Sequence, residues 1–217
     1  MIGSLLFIAR MTRPEISVHV NLLGRHAQKP TTVHLQSAYR VLSYLISTQS
    51  EGLKLRKPLH LDVKIYVDAS YGGPKARSQS GTLITLGEQP VGWYSRRQDV
   101  VAISVTEAEY IAGCEGAKDA AWMEQFLAEL NIRGKIPYLI TDSEGSYNLA
   151  KTAKFLRRSR HIEHRYHYLR QQVKKEHIVM NTIPGKDNPA DILTKLLPMS
   201  SIKTWKNTWL ASIGTIG

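Results

Sequence analysis

Cysteine is almost absent from this sequence of 217 residues, in which Cys114 is the single thiol. One thiol excludes a disulfide framework within the chain and a zinc site built from several cysteines. Long hydrophobic runs are also missing, because the longest, over residues 2–9, is far shorter than the roughly 18–20 residues that cross a bilayer. No basic stretch precedes it, as a secretory signal would require. These absences predict a soluble, intracellular protein without membrane contact.

Acidic residues are few relative to basic ones. Lysine and arginine together number 29 and aspartate and glutamate 18, which gives a formal net charge of +11. Such a surplus predicts a partner with dense negative charge, most often nucleic acid. The hydrophobic content of 42% and the charged content of 22% are ordinary for a globular protein. The length suits either one large domain or one domain with a substantial appendage.

The first 57 residues have helical periodicity and no catalytic grouping. Pro14 can begin a helix that reaches residue 28, and a second helix is predicted over residues 34–48. The apolar stripe of the second helix consists of Leu35, Ala38, Val41, Leu42, Leu45 and Ile46. We predict a small helical segment that packs on the remainder of the chain.

From residue 58 onward, strand and helix patterns alternate. Three successive strands are predicted over residues 61–67, 81–86 and 91–96, followed by a helix over residues 106–130 whose buried stripe includes Ala121. The predicted elements that follow are a strand at 137–141, helices at 143–153 and 160–175, a strand at 178–183 and a short helix from Pro189. This order predicts an α/β fold, a mixed sheet with helices on its faces.

Two aspartates lie at the ends of predicted apolar strands. Asp68 closes the first strand in I-Y-V-D-A-S, and Asp142 closes the later one in Y-L-I-T-D-S. A carboxylate in such a place is costly unless it is paired or binds a cation. A pair from two strands of one sheet, joined by further carboxylates, would suit Mg²⁺ or Mn²⁺. Asp142 has an alternative role as a helix cap, because a helix follows directly.

Two further carboxylates lie at predicted helix starts, and each has a structural alternative. Glu109 is three residues after Thr106, which is the spacing of a capping box. Asp191 follows Asn188 and Pro189, a capping residue and a first helical position, so its charge is favourable near the positive end of that helix. Alone, neither residue indicates a catalytic site.

The four carboxylates taken together, in the order Asp68, Glu109, Asp142 and Asp191, resemble the ribonuclease H fold. In that fold the first strand gives an Asp, the first helix a Glu, the fourth strand an Asp and a later helix the last Asp. The flanking sequence is similar to the carboxy-terminal ribonuclease H region of Copia-type retrotransposon Pol polyproteins. The motifs that carry this similarity are I-G-S-L-L-F-I-A, T-R-P-E-I-S, H-V-N-L-L-G-R, R-V-L-S-Y-L, V-D-A-S-Y-G-G, S-V-T-E-A-E-Y-I-A, T-D-S, R-R-S-R-H-I-E-H-R-Y-H-Y-L-R and A-D-I-L-T-K-L-L-P.

The resemblance implies a division of the chain. Residues 58–198 would form the ribonuclease H-like domain, with three antiparallel strands followed by parallel strands. Residues 1–57 would be the end of the reverse transcriptase thumb or connection, and residues 199–217 a carboxy-terminal tail. Ala69 stands where the polymerase signature Y-V-D-D has its second aspartate, so no polymerase activity is expected. The rest of the polyprotein is an expected partner, in a cytoplasmic virus-like particle, in the nucleus, or in both.

The resemblance also implies an activity, the endonucleolytic hydrolysis of the RNA strand of RNA–DNA hybrids. Two Mg²⁺ or Mn²⁺ ions would be held, with Asp68 bridging both, Glu109 and Asp142 on one and Asp191 on the other. Substrate choice would rest on 2′-hydroxyl contacts and groove shape. Related enzymes have a histidine in the loop before the last Asp that assists product release. This loop has none, so Lys186 is the candidate for that role.

Basic residues are concentrated over residues 151–180, where nine basic residues accompany two acidic ones. Contact with backbone phosphates is their expected use. The candidates in this region are Arg157, Arg158, Arg160, His164, Arg165 and His167, and those outside it are Arg96, Arg97 and Lys186. A zinc site formed by His161, His164 and His167 is disfavoured, because no cysteine or fourth ligand accompanies them.

Two other functions remain open at this point. A catalytically inactive retroelement remnant would bind nucleic acid through the basic helix without cleaving it. An integrase or transposase core shares the fold and the two-metal chemistry, but its carboxylates usually follow the order Asp, Asp, Glu. Glu109 is the second of the four here, which disfavours that function.

Overall fold

The computed structural model describes residues 1–132, 134–151, 163–198, 202, 205 and 210–212. In chain order the described elements are α1 (Ile2–Met11), α2 (Ser17–Gly24), α3 (Thr32–Ser47), β1 (Glu51–Leu53), β2 (Val63–Ser70), β3 (Gln79–Leu86), β4 (Gln89–Arg97), α4 (Val105–Glu129), β5 (Tyr138–Thr141), α5 (Glu144–Lys151), α6 (Glu163–Lys174), β6 (Val179–Thr182) and β7 (Leu210–Ser212). Three short 3₁₀ turns lie at Pro14–Ile16, Gly185–Asp187 and Pro189–Leu193.

A five-stranded sheet in the order β4-β3-β2-β5-β6 forms the centre of the fold. The strands β2, β3 and β4 are antiparallel neighbours. On the other side of β2, β5 is parallel both to β2 and to β6. Helices cover the sheet on its faces. The predicted α/β fold, a ribonuclease H-like mixed sheet with flanking helices, is confirmed.

The central strand β2 is longer than its sequence pattern predicts. Val63, Ile65 and Val67 are at most 2% exposed and alternate with less buried residues, as a strand between two layers requires. The strand continues to Ser70, because Ala69 and Ser70 also pair with β3. Asp68 therefore lies inside the strand, two residues before its end, and the prediction that it closes the strand is wrong.

Helix α4 packs across β2 and contributes the largest share of the main hydrophobic core, to which α6 adds Leu169. It approaches closely at Gly116, where a Cβ atom would lie 2.6 Å from Val67 and 2.8 Å from Leu139. Ala121 was predicted to be buried in this helix but is only half-buried. Ala120 and Met123 fill the core instead, because the buried stripe continues at spacings of three residues after Ala117.

The amino-terminal helices have a small core of their own, which consists of Leu5, Ala9, Ile16, Val20, Ala38, Val41 and Leu45. The helix predicted from Pro14 to residue 28 is a 3₁₀ turn followed by α2, which ends at Gly24. In α3, Leu35, Leu42 and Ile46 were predicted to share the buried stripe but are exposed, because α3 packs through one narrow side only. The indole of Trp93 in β4 donates to the Ala9 carbonyl at 2.7 Å, which joins this segment to the sheet.

The two ends of the predicted ribonuclease H-like region are bordered by a two-stranded sheet in which β1 pairs antiparallel with β7. Leu53 of β1 and Trp205 both pack against another buried cluster, which consists of Leu83, Trp93, Ile192 and Leu193. The limits of the three predicted segments, 1–57, 58–198 and 199–217, stay predictions. Among the described helices, none combines the length and the apolar character needed to span a bilayer.

Candidate active site

Three aspartates from distant parts of the chain meet at one end of the sheet. One carboxylate oxygen of each of Asp68, Asp142 and Asp191 lies within 4.8 Å of the others. Asp68 belongs to β2, Asp142 directly follows β5, and Asp191 lies in the 3₁₀ turn Pro189–Leu193. The parallel register pairs Tyr66 with Ile140, and its continuation by two residues places Asp68 opposite Asp142. Strand pairing thus brings together two of the three carboxylates.

Asn188 fixes the turn that carries the third aspartate. Its side chain is fully buried and accepts from the Ala190 amide at 3.1 Å, as the sequence predicted for a capping residue. Its amide nitrogen donates to the Val67 carbonyl at 2.9 Å and to Oδ1 of Asp142 at 3.3 Å. One side chain therefore links β2, Asp142 and the turn.

The turn lies close to β3 because the residue opposite Asp68 is a glycine. A Cβ atom on Gly81 would be 2.7 Å from Leu193 Cβ and 2.7 Å from Thr194 Cγ2, and 3.0 Å from the Ala190 carbonyl oxygen. Real Cβ atoms essentially never lie closer than 3.0 Å to another heavy atom, and none of these three distances exceeds that value. Gly81 is thus required for Asp191 to approach Asp68.

We expect Gly81→Ala to lower the free energy of unfolding by about 1–3 kcal/mol, because the added methyl overpacks this contact. Urea unfolding of the metal-free protein measures the effect. Gly3→Ala is the matched control, since a Cβ atom at Gly3 in α1 has no neighbour within 4 Å. Equal stability of the two variants would contradict the close approach described here.

Glu109 is not used as a helix cap, although its spacing from Thr106 permitted that role. Ser104 caps α4, since its hydroxyl accepts from the Glu107 amide at 3.1 Å. Glu107 in turn accepts from the Ile103 amide at 2.7 Å. The capping interaction lies two residues before the predicted one, which leaves Glu109 one turn inside the helix. Its carboxylate is therefore available for another function.

The carboxylate of Glu109 reaches β2 from α4, whereas that of Asp191 belongs to the turn Pro189–Leu193. It is 6% exposed, and its Oε1 accepts from the Ala69 amide at 3.2 Å. Its Oε2 has no hydrogen-bond partner among the described residues. Glu109 is not part of the group of three aspartates that approach within 4.8 Å of one another. Its charge is nevertheless coupled to those of Asp68 and Asp142.

Asp142 likewise does not act as a helix cap. The hydroxyl of Ser143 accepts from the Ser146 amide at 3.2 Å and thereby caps α5. The side chain of Thr141 accepts from the Ser143 amide at 3.1 Å. Capping of α5 thus needs no contribution from Asp142, whose carboxylate faces Asn188 and lies 3.0 Å from the position of a Cβ atom on Gly185.

The crowding of carboxylates changes their acidity. Burial, together with the charges of Asp68 and Asp142, raises the pKa of Glu109 to about 9. Burial also raises the pKa of Asp68 to about 6, against the opposing effects of the Lys195 charge and the hydrogen bond from Thr194. Shifts of this size indicate that the Lys195 charge does not fully offset the carboxylates, so a bound cation would stabilise the site.

The stability of the metal-free protein should depend on pH through Glu109. The folded state keeps a proton that the unfolded chain loses between about pH 4.5 and about pH 9, so the free energy of unfolding falls as the pH rises through this window. We expect Glu109→Gln to remove on the order of 2 kcal/mol of this fall. Chemical unfolding in EDTA across the window measures it, and parallel curves for both proteins would refute the assignment.

Two contacts of Asp68, with Lys195 and Thr194, were not predicted from the sequence. Lys195 Nζ lies 3.3 Å from Oδ1 of Asp68 and 2.6 Å from Oδ1 of Asp191. The hydroxyl of Thr194 donates to the other Asp68 oxygen. The two aspartates raise the pKa of Lys195 although burial opposes this, so the ammonium stays charged. The sequence signal for the contact with Asp191 was the position of Lys195 four residues later in A-D-I-L-T-K, a spacing at which side chains of one helical segment meet.

The predicted phosphate-binding residues fall into three groups. Arg157, Arg158 and Arg160 lie outside the described residues, and the structure describes only the backbone of His164, Arg165 and His167 in α6. Lys186 is exposed in the turn Gly185–Asp187 beside Asp142. Arg96 lies over the ring of Tyr94 at 4.9 Å, on the face of β4 that meets α4 through the Tyr94–Asp119 hydrogen bond. Arg97 is the next residue and points to the opposite face, that of Asp68.

The chain is similar in sequence to large polyproteins, although no protein-family model matches it. It is 34% identical over 209 residues to the retrovirus-related Pol polyprotein from transposon TNT 1-94 of Nicotiana tabacum, a match that covers 94% of this chain and 16% of that protein. The Pol polyprotein from transposon RE1 of Arabidopsis thaliana is 35% identical over 208 residues, with 94% and 14% covered. The solved structure of LC11-RNase H1 in complex with RNA/DNA hybrid is 16% identical, with a TM-score of 0.48, and the match covers 65% of this chain and 99% of that one.

The chain spans about one-sixth of the length of the curated relatives that it matches, and the match extends over 94% of the chain itself. The predicted relationship is thereby confirmed: this chain is homologous over nearly its whole length to a segment of the retrovirus-related Pol polyproteins of Copia-type retrotransposons.

Proposed function

We propose that this chain is a ribonuclease H that hydrolyses the RNA strand of RNA–DNA hybrids by an endonucleolytic, metal-dependent reaction. The observation that carries the proposal is the convergence of Asp68, Asp142 and Asp191 within 4.8 Å. The strand order around Asp68 and the relationship to Pol polyproteins support it. The integrase alternative loses support, since Glu109 comes second of the four carboxylates in the chain.

The donor set fits hard divalent cations. All its atoms are carboxylate oxygens, the ligands that Mg²⁺ and Mn²⁺ prefer. The Oε2 of Glu109, which has no partner among the described residues, and the raised pKa values of Asp68 and Glu109 indicate that Lys195 alone does not offset the negative charge of the site. We therefore propose that Asp68, Glu109, Asp142 and Asp191 hold two such ions. When bound, these ions activate the attacking water and stabilise the leaving 3′ oxygen.

The residues of the chain position these groups. Asn188 orients Asp142 while it holds the turn against β2. Thr194 donates to Asp68, and Lys195 bridges Asp68 and Asp191, so both oxygens of Asp68 are fixed before any substrate binds. Fixed ligands lower the cost of reaching the reactive geometry. The product strand would carry a 5′ phosphate.

The formal net charge of +11 suits a polyanionic substrate. We propose an RNA–DNA hybrid, recognised through its 2′-hydroxyls and groove shape rather than its base sequence. The remainder of the Pol polyprotein is the proposed protein partner, because the relatives are far longer than this chain. The cytoplasm, in a virus-like particle, the nucleus, or both are the proposed locations.

The purified protein should nick an end-labelled RNA–DNA hybrid when Mg²⁺ or Mn²⁺ is present. Removal of divalent ions with EDTA should abolish the cleavage, and restored Mg²⁺ should recover it. Double-stranded DNA of the same sequence is the control substrate and should stay intact. Cleavage that persists in EDTA would disprove the metal-dependent reaction.

An inactive remnant that only binds nucleic acid is the second candidate, and the ion pairs of Lys195 with Asp68 and Asp191 favour it. A lysine placed between carboxylates neutralises them without a metal ion. Binding of the hybrid without cleavage under either Mg²⁺ or Mn²⁺ would establish this function. The same experiment thus decides between the two candidates.

A further inference from the structure

The motif H-V-N-L-L-G-R has no part in the carboxylate site, but it reaches the sheet beside it. Asn21 lies in α2 and Arg25 directly follows this helix, four residues later, so both point to one side. They contact the same residue of β3. Gln79 Nε2 donates to Oδ1 of Asn21 at 3.1 Å, and Arg25 Nη2 donates to Oε1 of Gln79.

Gln79 is a buried polar residue whose side-chain oxygen and nitrogen both form hydrogen bonds. It is 5% exposed, and its amide nitrogen also donates to the hydroxyl of Ser95 in β4 at 2.6 Å. Because Gln79 is fixed on two sides, it holds one nitrogen of the Arg25 guanidinium in place. An arginine has five donors, so the others stay available for a second acceptor.

Arg97 lies next to this arginine. It is the residue of β4 opposite Gln79 in the antiparallel register, so the two side chains share one face of the sheet. Burial and the charge of Arg97 both lower the pKa of Arg25, which means that the two guanidinium groups repel each other. Within the described part of the chain, neither arginine forms an ion pair. An anion between them would relieve this repulsion.

The pair lies on the same face of the sheet as the catalytic candidate Asp68. The register places Asp68, Gly81 and Ser95 in one row across β2, β3 and β4, and Gln79 and Arg97 in the next row. Strand spacing and rise put the Cα atoms of Asp68 and Arg97 about 12 Å apart. That distance corresponds to a few nucleotides of one strand.

We propose that Arg25 and Arg97 form a phosphate-binding site that holds the backbone of the hybrid a few nucleotides from the scissile phosphate. This inference rests on the proposed ribonuclease function. The amino-terminal helical segment thereby contributes a substrate contact to a site built on the sheet. Arginine suits this role because its planar guanidinium donates two parallel hydrogen bonds to a phosphate.

Hybrid binding in EDTA tests the site without cleavage. Fluorescence anisotropy should give an affinity about tenfold lower for Arg25→Gln and for Arg97→Gln. Each variant should lower the slope of log affinity against log salt by about one. Arg56→Gln is the matched control, since it removes the same charge near Gln89, at the other end of β4. Wild-type affinity and slope in both variants would overturn the site.

Hybrids with a single neutral methylphosphonate linkage locate the contact. A neutral linkage at one position a few nucleotides from the cleavage position should weaken binding of the wild type and leave Arg97→Gln unaffected. Equal weakening of both proteins at every position would contradict the site.

Cleavage by the wild type with Mg²⁺ is measured separately. If the wild type cleaves the hybrid but the two arginine variants keep the wild-type salt slope, only the phosphate site is refuted. If the variants show the expected lower slopes but the wild type does not cleave, the nuclease function is refuted and the phosphate contact is retained. A wild type that does not bind the hybrid refutes both.

Discussion

Asp68→Asn should reduce the rate of hybrid cleavage by about a thousandfold, on the order of 4 kcal/mol of transition-state stabilisation. Asp68 is 1% exposed, and one of its carboxylate oxygens lies within 4.8 Å of both Asp142 and Asp191. Asparagine keeps the shape and an acceptor oxygen but removes the charge that a divalent ion requires. Single-turnover cleavage with Mg²⁺ and excess protein measures the loss apart from any effect on binding.

Asp119→Asn is the control for this substitution. Asp119 is a carboxylate of α4 that accepts from the Tyr94 hydroxyl at 2.6 Å, away from the three aspartates, and asparagine retains an acceptor there. Its cleavage rate should equal that of the wild type. Asp68→Asn should still bind the hybrid in EDTA, because phosphate contacts and not the carboxylates provide affinity. Undiminished cleavage by Asp68→Asn would end the proposed assignment.

The order of elements could be predicted from the sequence because each strand and helix has a clear period. Ile65 and Val67 alternate with polar residues in β2, and the sheet then follows from three strands that precede the first helix. The convergence of Asp68 and Asp142 was also predictable, since both lie near the ends of strands. Parallel neighbours bring such ends together at one edge of the sheet.

What the sequence could not decide was which of several acceptable local interactions occurs. The start of α4 offers two caps, Ser104 with Glu107 and Thr106 with Glu109, and only the packed helix selects the first. This choice determines whether Glu109 serves a helix end or the site. The contact between Arg25 and Gln79 was unpredictable for another reason, because it depends on how the amino-terminal helices pack on β3 and β4.

Lys195→Met should have opposite effects on stability and on metal affinity. The ammonium of Lys195 neutralises Asp68 and Asp191, so its loss should lower the free energy of unfolding of the metal-free protein. We expect about 1–2 kcal/mol, less than for a fully buried pair, because the Lys195 side chain is 40% exposed. The same loss should raise the affinity for Mg²⁺ about tenfold, since a bound cation no longer meets a positive charge between the carboxylates.

Thermal unfolding in EDTA and calorimetric titration with Mg²⁺ measure the two effects on one protein. Lys195→Arg keeps the charge and should resemble the wild type in both, whereas Lys175→Met removes an exposed lysine beyond the end of α6 and should change neither. Weaker Mg²⁺ binding by Lys195→Met would mean that the lysine assists the ion instead of replacing it. A protein that tolerates the loss only when Mg²⁺ is present would confirm that one site accommodates either cation, the ammonium group or the metal ion.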